Sequence, residues 1–344
     1  MNPQILQILK CPACSNPSNK LVAENTKVKA GRIEQGDIRC PSCNTIYPII
    51  NGIPKLLLEN NGIRKEMEGN RDFHEKYRKN KSAEWLLNLP EAADFGDEKK
   101  GNKDLKVNVE KTLARLESPC GYALDLGAGT CWTTWQIARI GFTAVAVDLA
   151  REKYIGLESA EVFIQNKNIY FYRIQADMAH LPFIDSTFNM VFVSTAIHHS
   201  RTPKALFKEI SRILIPGGKL YTVGEPNRPV WVPQLKIFRF FMQRNQKGSF
   251  LWHEGHYSIP EWKKYCINAG LAPKFLIPPH AMDILEGKTV MSNTHKIWKR
   301  WIAAVFRNVP QFNKFRNILF YIGLYLAGVS FVMEAEKKQK TWQE

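Results

Sequence analysis

The 344-residue sequence is short of acid. It carries 48 Lys/Arg against 32 Asp/Glu, a formal net charge of +16 at pH 7, which points to anionic partners: nucleic acid, a membrane surface or acidic metabolites. No secretory leader is expected either. Residues 1–10 hold no basic stretch followed by an apolar run and a small-residue cleavage site, and this predicts a cytoplasmic location. Seven cysteines in a chain of this size are too few for a disulfide framework. Residues 318–333 make an uninterrupted apolar run of 16, below the usual ~20 that span a bilayer but longer than many core segments, which leaves a transmembrane anchor as the less favoured reading. What is present, 44% hydrophobic and 23% charged residues, is ordinary globular composition, enough for one large core or two domains.

Four of the cysteines stand in two Cys-x-x-Cys pairs, "CPAC" (Cys11, Cys14) and "CPSC" (Cys40, Cys43), separated by 25 residues. Each pair sets two thiolates on a tight turn, and two such turns joined through intervening strands complete a tetrahedron around Zn2+. With all four positions taken by thiolates the zinc is structural, and residues 1–58 are too few to hold a good core without it. A redox Cys-x-x-Cys would open a helix in a larger α/β unit, whereas these lie in a short segment punctuated by Pro and Gly. The flanking "ILQILKCPAC" and "IRCPSCNTIYPIINGIPKLL" resemble the small zinc-ribbon family that activates several tRNA and protein methyltransferases. That resemblance implies that the ribbon packs against a methyltransferase and stabilises it or admits its substrate. Residues 59–103, charge-rich with scattered Phe73, Tyr77 and Trp85, read as linker and lid helices over the next domain's cleft or as a solvated spacer.

Over residues 104–285 short apolar runs alternate with helical patterns. "YALDL", "AVAVD", "IYFYRIQ", "MVFVS" and "KLYTVGE" read as strands, and residues 131–139, 151–166 and 203–214 read as helices. The alternation predicts an α/β fold: a doubly wound, mostly parallel sheet with its ligand at the carboxyl ends of the strands. "ALDLGAGTCWTTW" lies at one such end. A dinucleotide turn needs a third glycine where this one has Trp132, which argues against a pyrophosphate. Asp125, just before Gly127 and Gly129, would repel phosphate and attract an ammonium group. Asp148 follows Gly127 by 21 positions and can accept hydrogen bonds from both hydroxyls of a ribose. A positively charged nucleoside without phosphate satisfies both carboxylates, and S-adenosylmethionine is such a ligand.

"ALDLGAGT", "AVAVDLA", "QADMAHLPFIDSTFNMVFVSTAIHHS" and "EISRILIPGGKLYTVGEP" resemble the successive motifs of class I S-adenosylmethionine-dependent methyltransferases, especially the subgroup containing the quinone-biosynthesis enzymes. The resemblance implies a Rossmann-like domain in which Gly127 and Gly129 admit the methionine moiety and Asp148 grips the ribose. It further implies that Asp177 bonds the adenine amino group, with Met178 beside the ring. Thr130-Cys131-Trp132 departs from the smaller residues usual there. Methyl transfer from a sulfonium is an in-line displacement that needs alignment and dryness rather than a nucleophile. An acceptor that must lose a proton also needs a base; His199 in "IHHS" and Glu225, ending the fifth strand, are the candidates. His253, Glu254 and His256 in "LWHEGHYSIPEW" lack a remote third ligand and read as a substrate-facing lid loop.

Residues 226–344 hold 18 Lys/Arg and 7 Asp/Glu, so +11 of the +16 lies there, interleaved with aromatic and apolar residues. Residues 286–344 therefore read as a basic, apolar, C-terminal helical extension lying on anionic lipid, with a helical layer packed on the sheet or on a second subunit as the competing reading. The function expected is methyl transfer to a small-molecule or lipid-linked acceptor at a membrane surface. An RNA methyltransferase, gripping the phosphate backbone with ribbon and basic surface, is the alternative; an adaptor that only binds partners is a third.

Overall fold

The computed structural model describes residues 1–14, 20–92, 103–116, 119–233, 255–286, 288 and 311–338. Four strands open the chain: β1 (Val22–Lys29), β2 (Arg32–Arg39), β3 (Ile46–Ile50) and β4 (Ile53–Pro54), an antiparallel sheet in the order β1-β2-β3-β4. Three helices follow, α1 (Asn61–Phe73), α2 (Ala83–Leu87) and α3 (Lys103–Leu113). The Asn60 side chain caps α1 by accepting from the Ile63 amide, as short polar side chains do at helix starts. The linker is thus largely helical, and residues 93–102 lie outside the described residues.

Seven strands then build one sheet. β5 (Tyr122–Leu126), β6 (Thr143–Asp148), β7 (Tyr172–Gln175), β8 (Phe188–Ser194) and β9 (Leu214–Val223) are mutually parallel and coincide with the apolar runs expected as strands, except that β7 takes only the last four residues of "IYFYRIQ" and β9 stops two short of Glu225. The full order is β10-β11-β9-β8-β5-β6-β7, with β10 (Leu271–Leu276) and β11 (Val332–Lys337) antiparallel to each other and β11 antiparallel to β9. This is the Rossmann-like methyltransferase fold. Helices α4 (Trp132–Arg139), α5 (Ala160–Lys167), α6 (Pro203–Ile213), α7 (Ile259–Asn268) and α8 (Pro279–Leu285) connect and cover the strands. In α6 a proline opens the helix and Leu206, Phe207, Ile210 and Ile213 form its buried stripe, the i, i+4, i+7 spacing of a core-facing helix.

Two expectations are corrected here. The helix expected over residues 151–166 starts only at a short 3-10 turn, Leu157–Ser159, that leads into α5, because residues 149–156 form the loop that closes over Asp148. The extension expected over residues 286–344 is not wholly helical: its strand β11 sits between β9 and β10 in the large sheet. The apolar run 318–333 divides into the end of helix α9 (Gln311–Leu326), a turn with Gly328 at φ +63° and the start of β11. Among the described residues no helix is long and apolar enough to cross a membrane.

The ribbon and the large sheet share one core, in which Ile5, Leu9 and Tyr47 meet Val145, Ile174 and Phe183. Backbone bonds sew them together as well. The Leu56 amide donates to the Gln175 carbonyl at 2.9 Å and Lys55 bridges Gln175 in parallel, so the chain after β4 lies along the otherwise open edge of β7. A second seam joins Lys10 N to Pro182 O and Ile184 N to Ile8 O, both 3.0 Å. A covered edge removes the unpaired donors and acceptors that invite aggregation.

Candidate active site

The strand order reverses between β5 and β8, where an open α/β sheet leaves a crevice at its carboxyl edge. The turn after β5 and the loop after β8 meet there. Gly127 has φ +72°, and a Cβ on it would lie 2.3 Å from the Ala196 Cβ, so no side chain fits. Gly129 has φ +49°, but a Cβ there would meet nothing nearer than the Ile155 carbonyl at 3.6 Å. The first glycine is required by packing and the second by backbone shape and open space above the turn. Cys131, also left-handed at φ +64°, then turns the chain into α4.

Three predicted carboxylates stand at adjacent strand ends. Asp125 is buried; its Oδ2 accepts the Thr134 hydroxyl of α4 at 2.6 Å, and its Oδ1 has no partner among the described residues. Burial holds its pKa up at about 7, against the Thr134 bond and helped by the charge of Asp148. Asp148 accepts the Gly129 amide through Oδ2 and the Ala150 amide through Oδ1, both at 2.7 Å. Burial raises the group to about 6 against those two amides and that of Leu149. Asp177 follows β7, accepting the Ala179 amide at 2.9 Å and lying 3.0 Å from His180 Nδ1. Met178 beside it is half-buried and packs on the core.

A fourth acid was not legible as a site residue. Glu66, on α1, is pushed up to about 7 by burial, eased by Arg201 and reinforced by the charges of Asp148 and Asp177. The opening turn of α1 rests beside Arg201, whose guanidinium would lie 3.0 Å from a Cβ at Gly62. Glu66 on that helix therefore stands close enough for the charges of Asp148 and Asp177 to act on it. The signal lay in "GIRKEMEG", where an acid among bases at helical spacing looks like any solvated face.

The two candidate bases have different surroundings. Glu225 is not a base open to an acceptor, which corrects the sequence reading: Oε1 takes the Ala196 and Ile197 amides at 2.8 and 3.0 Å, and Oε2 takes the His198 amide at 3.2 Å and its ring Nδ1 at 2.8 Å. Burial acts to raise its pKa, but the His198 ring and the two amides outweigh it and hold the carboxyl below its ordinary range. Glu225 fixes the loop after β8. His199 is half-buried on that loop, its ring 4.0 Å from the His198 ring. His253 and Glu254 lie outside the described residues, and the His256 carbonyl accepts from Arg228 Nε at 3.0 Å.

In the ribbon the sulfurs of Cys11, Cys40 and Cys43 all lie within 4.8 Å of one another. Cys11 Sγ and Cys43 Sγ are 3.7 Å apart, close to the roughly 3.8 Å between two thiolates held tetrahedrally about 2.3 Å from zinc. The Tyr47 hydroxyl sits 3.1 Å from Cys11 Sγ. Cys14 is half-buried next to the undescribed residues 15–19 and is not in that group.

The family model described as a methyltransferase domain matches residues 124–222. Those residues are a methyltransferase domain. A second model, Trm112p-like protein, matches residues 2–52, which makes the ribbon a Trm112p-like module on the same chain. Among curated proteins, demethylmenaquinone methyltransferase of Corynebacterium glutamicum (strain R) is 33% identical over 140 residues, covering 40% of this chain and 56% of the relative. The methyltransferase YodH of Bacillus subtilis (strain 168) is 29% identical over 153 residues, covering 43% and 62%. The chain thus spans little more than half the length of these relatives. A solved Haloferax volcanii complex containing the Trm112 methyltransferase activator superposes with a TM-score of 0.45 at 17% identity, covering 69% of this chain and 90% of that one, and adds nothing to what the topology shows.

Proposed function

We propose that the protein is an S-adenosylmethionine-dependent methyltransferase acting on a small-molecule or lipid-linked acceptor. The observation that carries the reading is the set of acids that gather near the switch point, Asp125 buried with an Oδ1 unpartnered among the described residues and Asp148 and Glu66 half-buried. Asp125, Asp148 and Glu66 are all held up to between about 6 and 7 by burial, so a cation placed among them would draw their charges out. A sulfonium cofactor with an ammonium tail is such a cation, and a pyrophosphate is its opposite.

In this reading Gly129 gives the ligand room, Asp148 receives the ribose hydroxyls, and Asp177 with Met178 bounds the adenine. S-adenosylmethionine supplies a methyl group on sulfur, displaced in line with the bonding pair leaving on the thioether. The chain's part is alignment and exclusion of water. Glu225 holds the loop that carries His198 and His199, and His199 would take an acceptor's proton. Cys11, Cys40 and Cys43, with Cys14 from the sequence, hold a structural zinc that stiffens the ribbon along β7.

The quinone-biosynthesis relatives support a small apolar acceptor over RNA. Cell extract incubated with the full chain and methyl-labelled cofactor tests this: label is expected in the lipid or small-molecule fraction. Label confined to RNA overturns the acceptor class, and no incorporation in any fraction overturns the enzyme.

A further inference from the structure

Helix α9 carries large apolar side chains on both sides. Leu324 is fully buried, with Phe320 and Tyr325 packed against the core. Opposite them Phe315, Ile318, Leu319, Ile322 and Leu326 lie between 39% and 57% exposed, a stripe at i, i+3, i+4, i+7, i+11. The patch continues onto the loop after β9: the Val230 amide donates to the Tyr325 carbonyl and the Trp231 indole to the Leu326 carbonyl, both at 2.8 Å, and Trp231 is 70% exposed. Contiguous exposed apolar surface of this kind marks an interaction site.

We propose that this face of α9, with Val230 and Trp231, docks on an anionic lipid bilayer. Three observations select lipid. Helix α9 carries Lys314 and Arg316 and no acidic residue. Such a surface is complementary to anionic headgroups and repels a second copy of a +16 chain. The helix is 16 residues long, about 24 Å against a hydrocarbon core of about 30 Å, so it lies in the interface rather than spanning it. An exposed indole beside it is the usual interfacial anchor.

The placement also serves the chemistry, and here the inference rests on the methyl-transfer reading. Asn227 Nδ2 ties the loop after β9 to the Leu324 and Val329 carbonyls at 2.9 and 3.0 Å, two residues beyond Glu225. The docked face therefore flanks the carboxyl edge of the sheet, and a lipid-embedded acceptor would reach the crevice from the bilayer it is dissolved in.

Flotation of the full chain with phosphatidylcholine vesicles, with and without phosphatidylglycerol, tests the docking. The chain is expected to float with the anionic vesicles, and Ile318→Asp plus Ile322→Asp to lower partitioning about tenfold or more. Circular dichroism and cofactor titration of that variant should match the parent. Val28→Asp, at a 61% exposed position on β1, should float as the parent does. A parent that fails to float, a double variant that floats undiminished, or one that only converts a dimer to monomer overturns the proposal. Flotation without cofactor binding would sink the enzyme reading and leave the docking standing.

Discussion

The Nδ1 atom of His198 lies 2.8 Å from Oε2 of Glu225, a carboxylate whose other bonds all go to the backbone of the same loop. One buried charge thus fixes three amides, an imidazole and, through Ala196, the contact with Gly127.

Glu225→Gln keeps the size but loses the charge and two acceptor lone pairs. A loss of about 1.5–3 kcal/mol in urea unfolding is expected near neutral pH, with methyl transfer falling more than cofactor affinity. Because the folded carboxyl sits below its ordinary range, this stabilisation is present above the unfolded pKa and fades as pH drops through the folded one. Equal stabilities at pH 7 would refute the role.

The crevice acids behave in the opposite sense. Asp125 and Glu66 are raised to about 7 and Asp148 to about 6, so in the ligand-free protein their protonation stabilises the fold at low pH, and that contribution is lost as pH rises through 6 to 7. A cationic ligand prefers them ionised. Affinity for S-adenosylmethionine should rise from pH 5.5 to 8, and calorimetry in buffers of different ionisation enthalpy should show proton release on binding. Uptake of protons, or no exchange, would contradict this account. Asp148→Ala should weaken binding by about 1.5–3 kcal/mol.

The two glycines of the turn should differ. Gly127→Ala meets both backbone strain and Ala196, and about 2–5 kcal/mol of stability should go with it. Gly129→Ala meets strain alone, about 1–2 kcal/mol, though its methyl enters the cofactor's space and should reduce affinity. Thermal melts read the first difference and titration the second.

Zinc should be present at one ion per chain, and Cys40→Ser plus Cys43→Ser should remove it. Because the ribbon shares the core of the large sheet and lines β7, the whole chain should melt in one transition, lowered by about 5–10 °C on chelation. A separate early transition with the main one unmoved would show the ribbon to be independent.

Much of this was written locally. The five parallel strands, the glycine turn and the paired cysteines each declare themselves within a few residues, because strand burial, left-handed backbone and thiolate spacing are local requirements. What escaped is relational. Glu66 becomes a crevice acid only when α1 folds across Asp148 and Asp177, and Glu225 looked like an open base until the loop after β8 was seen to take up its lone pairs. The run 318–333 concealed a helix, a turn and a strand because all three are built from apolar residues; Gly328, at φ +63°, marks the turn between them.

Strand β11 gives the sheet an order of assembly. Lying between β9 and β10, it is the element through which β10 is joined, although β10 precedes it by more than fifty residues. During synthesis residues 271–276 must wait, paired to nothing in the sheet, until residues 332–337 have left the ribosome, and this distant pairing makes closure a late and slow event. Until then β9 is an exposed edge that a chaperone or another nascent chain can engage.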